Sequence, residues 1–141
     1  MVSVEEVEEH LRLAEGFITS AFISPDASEC DVRNAFSRGY YALLHVCKAW
    51  LAMMDVSEDL RYQHGQVLRE IGSRRGEDSK RRLKDIYGLR EDADYRPQMF
   101  TARPFFGDIE RFRAVASAWI ADARAEFDLY AVEVRQFLTK E

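Results

Sequence analysis

Residues 37–50, "SRGYYALLHVCKAW", set Arg38 and His45 seven positions apart among large apolar side chains. At 100° per residue, Val32, Phe36, Tyr40, Leu43, Leu44, Cys47, Trp50, Leu51 and Met54 share one side of a helix. Asp31, Asn34, Arg38, Tyr41 and His45 share the other, with the small residues Ala35, Ala42 and Ala49. The periodicity predicts a helix from about Glu29 to Met54, roughly 39 Å long. It has one core face and a second face of different chemistry. Two readings of that second face stand open. In one it is solvated, with Asp31 and Asn34 pairing locally with Arg38. In the other its alanines, in place of the Lys/Glu mix of open helix surfaces, admit a helix from a partner chain.

Working outward, Val4, Val7, Leu11, Ala14, Ile18 and Ala21 recur at three- and four-residue steps and predict an amphipathic helix over 3–22. Pro25 breaks it, and Ser28 with Asp31 forms a capping signal for the next helix. A short third helix runs through His64, Val67, Leu68 and Ile71, weakened by Gly72 and Gly76. A fourth starts near Asp78 or Ser79 and passes Leu83, Ile86, Leu89 and Ala93. Pro97, Pro104 and Gly107 predict an exposed loop, and Asp108 caps a last helix striped with Phe112, Trp119, Phe127, Tyr130 and Val134. Trp50, Trp119, Phe105 and Phe106 read as packing residues. No segment alternates with period two, so the expected fold is all-α: an up-and-down bundle of about five helices in a single domain, 1–141.

The 141 residues suit one core. No apolar run is long enough for a membrane span, and the acidic N-terminus does not read as a signal peptide; a cytoplasmic protein is expected. Cys30 and Cys47 lie roughly 25 Å apart on one helix, beyond disulfide reach, and no metal-ligand spacing is present, so neither a metal nor a cofactor is expected. Net charge is −5, which excludes a generic nucleic-acid coat. Residues 69–84 nonetheless hold seven basic and three acidic side chains. That segment is either a solvated helix face or a phosphate-contacting patch using Arg74, Arg75, Arg81 and Arg82.

Three segments carry a family resemblance. "AFSRGYYALLHVCKAWL" resembles the signature helix of the HEPN domains (higher eukaryotes and prokaryotes nucleotide-binding), in particular a small prokaryotic group. "HGQVLREI" is similar to that group's next segment, and "LREDADYRP" to its R-x-x-A-D-Y segment, which matches Arg90, Ala93, Asp94 and Tyr95. The resemblance spans residues 35–97 and implies a HEPN-like five-helix bundle. It also implies a metal-independent endoribonuclease, a toxin or defence component, with Arg38 and His45 catalytic and a minimal nucleotidyltransferase as partner. In such chemistry histidine serves as acid or base, and arginine's fixed charge suits the phosphate. Two positions depart from the pattern: Gly39 follows the arginine where active members often carry a polar residue, and Cys47 stands where some toxins have a modified tyrosine.

Arg38 and His45 are about 10.5 Å apart along the axis, and helical side chains lean toward the N-terminus. An antiparallel copy of the helix, crossing near Tyr41 and Ala42, would bring Arg38 of one chain toward His45 of the other, so a homodimer with a composite cleft is expected. His64 either hydrogen-bonds locally or serves that cleft as a further acid or base, with Tyr41 as an accessory. Arg90, Asp94 and Tyr95 either lock the end of the fourth helix or form a nucleotide-contacting edge. Three functions follow: an RNA-cleaving dimer; a non-catalytic module binding RNA, a nucleotide or a nucleotidyltransferase; and a structural dimeric bundle.

Overall fold

The computed structural model describes residues 2–140. Its helices are α1 (Val4–Ser20), α2 (Glu29–Met53), α3 (His64–Arg75), α4 (Glu77–Tyr95) and α5 (Ile109–Thr139). Single 3-10 turns at Glu58–Arg61 and Pro97–Met99 link them, and the described residues contain no strand. The chain is thus an all-α, five-helix bundle. Among the described residues, no helix is long and apolar enough to cross a membrane.

Local chemistry places the helix ends. Ser28 and Asp31 form a reciprocal capping box, with Ser28 Oγ accepting from Asp31 N and Asp31 accepting from Ser28 N, both at 3.1 Å. Asp108 accepts from Arg111 N at 3.2 Å and starts α5. α1 ends at Ser20, two residues before the predicted limit. There Arg124 of α5 donates to the carbonyls of Ile18 and Ala21. Arg33 does the same for the end of α4, donating to the carbonyls of Ala93, Arg96 and Pro97. Gly76, with φ at +107°, turns α3 into α4. Gly72 packs inside that hairpin, where an added Cβ would lie 2.8 Å from Lys80 Cδ.

α2 is the central element, in contact with α1, α3, α4 and α5. Its predicted core face is buried from Val32 to Leu51, whereas Met54, just past the helix end, is exposed. Gly39 sits against Trp119, whose Nε1 donates to the Ile86 carbonyl at 3.2 Å and whose ring meets Phe36 edge-on. Both cysteines lie on α2 and are free, Cys30 exposed and Cys47 buried. The 96–108 segment is mostly exposed, as expected, but some of its apolar side chains turn inward. Met99 and Phe105 are buried, and the rings of Phe100 and Phe105 lie 5.1 and 4.7 Å from that of Phe112. Proline and glycine mark irregular backbone; they say nothing of whether the aromatics between them turn inward. Phe106 is the one of the aromatic pair that turns out, at a positive φ of 48°.

Candidate functional site

The second face of α2 is occupied by the chain's own first helix. Phe17 of α1 lies 5.6 Å from the Tyr41 ring and stacks on His45 at 5.8 Å, only 9° from parallel. His10 of α1 stacks on the same imidazole at 5.4 Å. Ala35, Ala42 and Ala49 are buried within the single chain. Within the single chain α1 therefore covers α2 at Ala42, where a partner helix was expected to cross. The apolar stripe of α1, from Val7 to Ile18, needed a surface to bury against. The side of α2 floored with alanine supplies it.

Arg38 and His45 are consequently split between two environments. His45 Nδ1 is 3.2 Å from His10 Nδ1. Burial first, then the neighbouring charges of His10 and Lys48, push the His45 pKa down to about 4. Burial likewise lowers His10, followed by Lys48, although Glu6 stands 3.8 Å from its Nε2. At neutral pH both rings are uncharged, one donating and the other accepting. Arg38 instead stands exposed in a 270 Å³ cleft formed with Ser20, Phe22, Ser24, Asp31 and Asn34. It has no ion-pair partner among the described residues, and Asp31 is already engaged in the capping box. Phe22 at the same cleft is 65% exposed.

On the opposite side of α2 a second group converges. The Tyr40 hydroxyl hydrogen-bonds the His64 imidazole at the start of α3. Burial first, then Arg90, holds the His64 pKa below its ordinary value. Arg90 of α4 lies over the Tyr40 ring at 4.2 Å and reaches the Tyr41 hydroxyl at 3.3 Å. Its Nε is 2.7 Å from Asp94 Oδ2, an ion pair whose N–H points off the line of a hydrogen bond. Asp94 also accepts from Ser37 Oγ of α2. Tyr95 is mostly exposed, with its ring 5.5 Å from the guanidinium. Arg90 and Asp94 thus tie the end of α4 to α2, while the Tyr95 ring meets Arg90 of its own helix, and His64 bonds to Tyr40.

Beside this lock a slot of 330 Å³ opens between α2, α3 and α4, lined by Tyr40, His64, Leu68, Lys84, Tyr87 and Arg90, with Gly65, Gly88 and Glu91. The sequence reading assigned Tyr40 to the core and passed over Lys84, Tyr87 and the two glycines. The available signal was Lys84, Gly88 and Glu91 at i, i+4 and i+7, one face of α4 carrying a glycine in mid-helix.

Four of the five arginines of the basic segment, those singled out as phosphate contacts, are each paired within the chain. Arg74 meets Glu70 at 3.3 Å, Arg81 meets Asp78, Arg82 meets the buried Glu126, and Arg75 meets Glu133 while lying 4.5 Å from the Tyr130 ring. Among the described residues no group of three or more His, Cys, Asp or Glu side chains is placed to hold a metal ion.

No family model matches the chain. A stretch of 68 residues, 48% of the chain, is 34% identical to the UPF0332 protein PH1297 of Pyrococcus horikoshii. That stretch corresponds to 44% of the relative, so the chain spans less than half the length of the curated protein it matches.

Proposed function

We propose that the protein is a HEPN-like module that binds single-stranded RNA without cutting it, with Arg38 as its phosphate contact. The observation that carries this reading is the separation of Arg38 from His45. Arg38 is exposed in its cleft and has no acidic partner among the described residues, and a guanidinium in that state is a strong donor set for phosphate. His45, which cleavage would need as acid or base, is neutral, half-covered and engaged with His10. Phe22 adds an exposed ring beside the cation, the pairing by which single-strand binders stack a base and hold its phosphate.

The endoribonuclease reading, a homodimeric toxin or defence component with a composite Arg38–His45 cleft, requires α1 to leave the face of α2 that it covers. A minimal nucleotidyltransferase partner rests on the family resemblance alone. Fluorescence anisotropy with a fluorescein-labelled single-stranded RNA tests the binding reading. Arg38→Ala and Phe22→Ala each weaken binding by about fivefold or more, and His45→Ala leaves it unchanged. Equal affinity of wild type and Arg38→Ala would remove the assignment.

A further inference from the structure

We infer that the cavity between α4, α5 and the 96–108 segment is a binding site for a small apolar monocarboxylic acid. Its apolar walls are Leu89 of α4, Val115 of α5, and Met99, Ala102, Pro104 and Phe105 of the segment between them. It shares no residue with the Arg38 cleft or with the slot beside Arg90. Leu89 and Val115 pack against the core yet are only half-buried, so apolar surface of both helices faces the cavity. Its volume is 290 Å³, beside a lower limit of about 300 Å³ for ligand cavities. At about 30 Å³ for each water-sized group, an acid of about ten non-hydrogen atoms, such as octanoate, is of that size.

The walls are already in place. The segment closes on itself through backbone bonds, Ala102 N to the Gln98 carbonyl at 2.8 Å, Phe105 N and Phe106 N to the Ala102 carbonyl at 3.0 and 2.9 Å, and Gly107 N to the Phe100 carbonyl at 2.8 Å. Arg33 holds its start by donating to the Arg96 and Pro97 carbonyls. Arg111 holds its end, donating to the Pro104 carbonyl at 3.0 Å. Met99 and Phe105 are buried, and the Phe105 ring is braced against Phe112. Little ordering is left for a ligand to impose, which favours binding.

The charge at the cavity sets the chemistry of its occupant. Asp92 and Arg96 pair at 3.0 Å and cancel. Arg103 is exposed and has no hydrogen-bond or ion-pair partner among the described residues, so it carries the uncompensated charge. Its planar fork of donors matches a carboxylate, and the Gln98 amide at the same cavity adds a neutral donor. One free cation suits a monoanion, and the apolar walls suit a hydrocarbon body.

Isothermal titration with octanoate, 1-octanol, acetate and inorganic phosphate tests the site. Octanoate binds with a Kd on the order of 0.1 mM. Octanol binds at least about fivefold more weakly, and acetate and phosphate give no heat at about 1 mM. Arg103→Met keeps an apolar stem, weakens octanoate about fivefold and leaves octanol unchanged. Ala102→Leu fills the cavity from an exposed position and removes binding of both, with thermal unfolding showing that each variant is folded. No heat with octanoate at about 1 mM, octanol or phosphate binding as tightly as octanoate, or undiminished octanoate binding by folded Arg103→Met each overturns it.

Discussion

His10 and His45 face each other across the α1–α2 junction with their Nδ1 atoms 3.2 Å apart. One ring donates and one accepts, so the contact is lost once both rings are protonated. Glu6 faces the pair from α1, Lys48 from α2 and Arg61 from the turn before α3. Glu6, and after it Glu9, would welcome a proton on His10, but Glu6 already pairs with the buried Arg61. In the unfolded chain both imidazoles titrate near 6.5, whereas in the fold His45 is held down to about 4 and His10 is also lowered. Between those values the unfolded state binds more protons, so stability falls as pH drops from about 6.5 toward about 4. Urea unfolding compared at about pH 7.5 and pH 5 is expected to show a loss of about 1–2 kcal/mol from this pair, discounted because the rings are only half covered. His45→Phe is expected to keep the stacking and reduce the pH dependence; an unreduced dependence would remove the pair as its cause.

At Gly39 packing leaves no room for a side chain. A Cβ there would come 2.6 Å from Trp119 Cζ3. That ring is held in place, since its Nε1 bonds the Ile86 carbonyl and it packs edge-on with Phe36. Gly39→Ala is therefore expected to cost about 2–3 kcal/mol through overpacking, read as a lower urea midpoint. A neutral result would show that Trp119 has room to move.

Arg90 is buried and joins three aromatic rings to Asp94. Arg90→Lys loses the planar stacking and the reach to Tyr41, and is expected to cost about 2 kcal/mol. Arg90→Ala leaves Asp94 without its cation as well and is expected to cost about 3 kcal/mol. Thermal unfolding of the two variants checks the order; Lys behaving like wild type would make the site a simple charge pair.

The basic segment makes a contrasting prediction. Because Arg74 and Arg81 are each paired with an acid in their own helix, replacing both with Ala is expected to leave the salt dependence of RNA binding unchanged. Arg38→Ala is expected to reduce the slope of log K against log salt by about 0.7, one single-strand phosphate contact. Affinities across a salt series distinguish the two. A reduced slope in the Arg74/Arg81 variant would turn the segment into a phosphate-binding surface.

Much of the fold is legible in the residues themselves. The stripes of α1, α2 and α5 carry apolar groups at three- and four-residue steps, and Ser28, Asp31 and Asp108 announce the helix starts that bear them out. The two faces of α2 were equally legible, but not what covers the second one. Alanines at 35, 42 and 49 announce close approach of a helix without saying whose. The answer lay in His10 and Phe17, seven residues apart on α1, which engage His45 and Tyr41. Each looked unremarkable on its own helix. The slot was hidden for a related reason: Tyr40, His64 and Gly88 come from three helices, and only the α3–α4 hairpin brings them together.

The central claim, that Arg38 binds phosphate while His45 stays out of the chemistry, is tested most directly by a cleavage assay. End-labelled single-stranded RNA is incubated in EDTA with wild type, Arg38→Ala and His45→Ala, and products are resolved on a denaturing gel. Intact RNA in all three reactions, with binding lost only in Arg38→Ala, is the predicted result. RNA cut by wild type and spared by both folded variants would contradict it and assign the Arg38–His45 pair to catalysis.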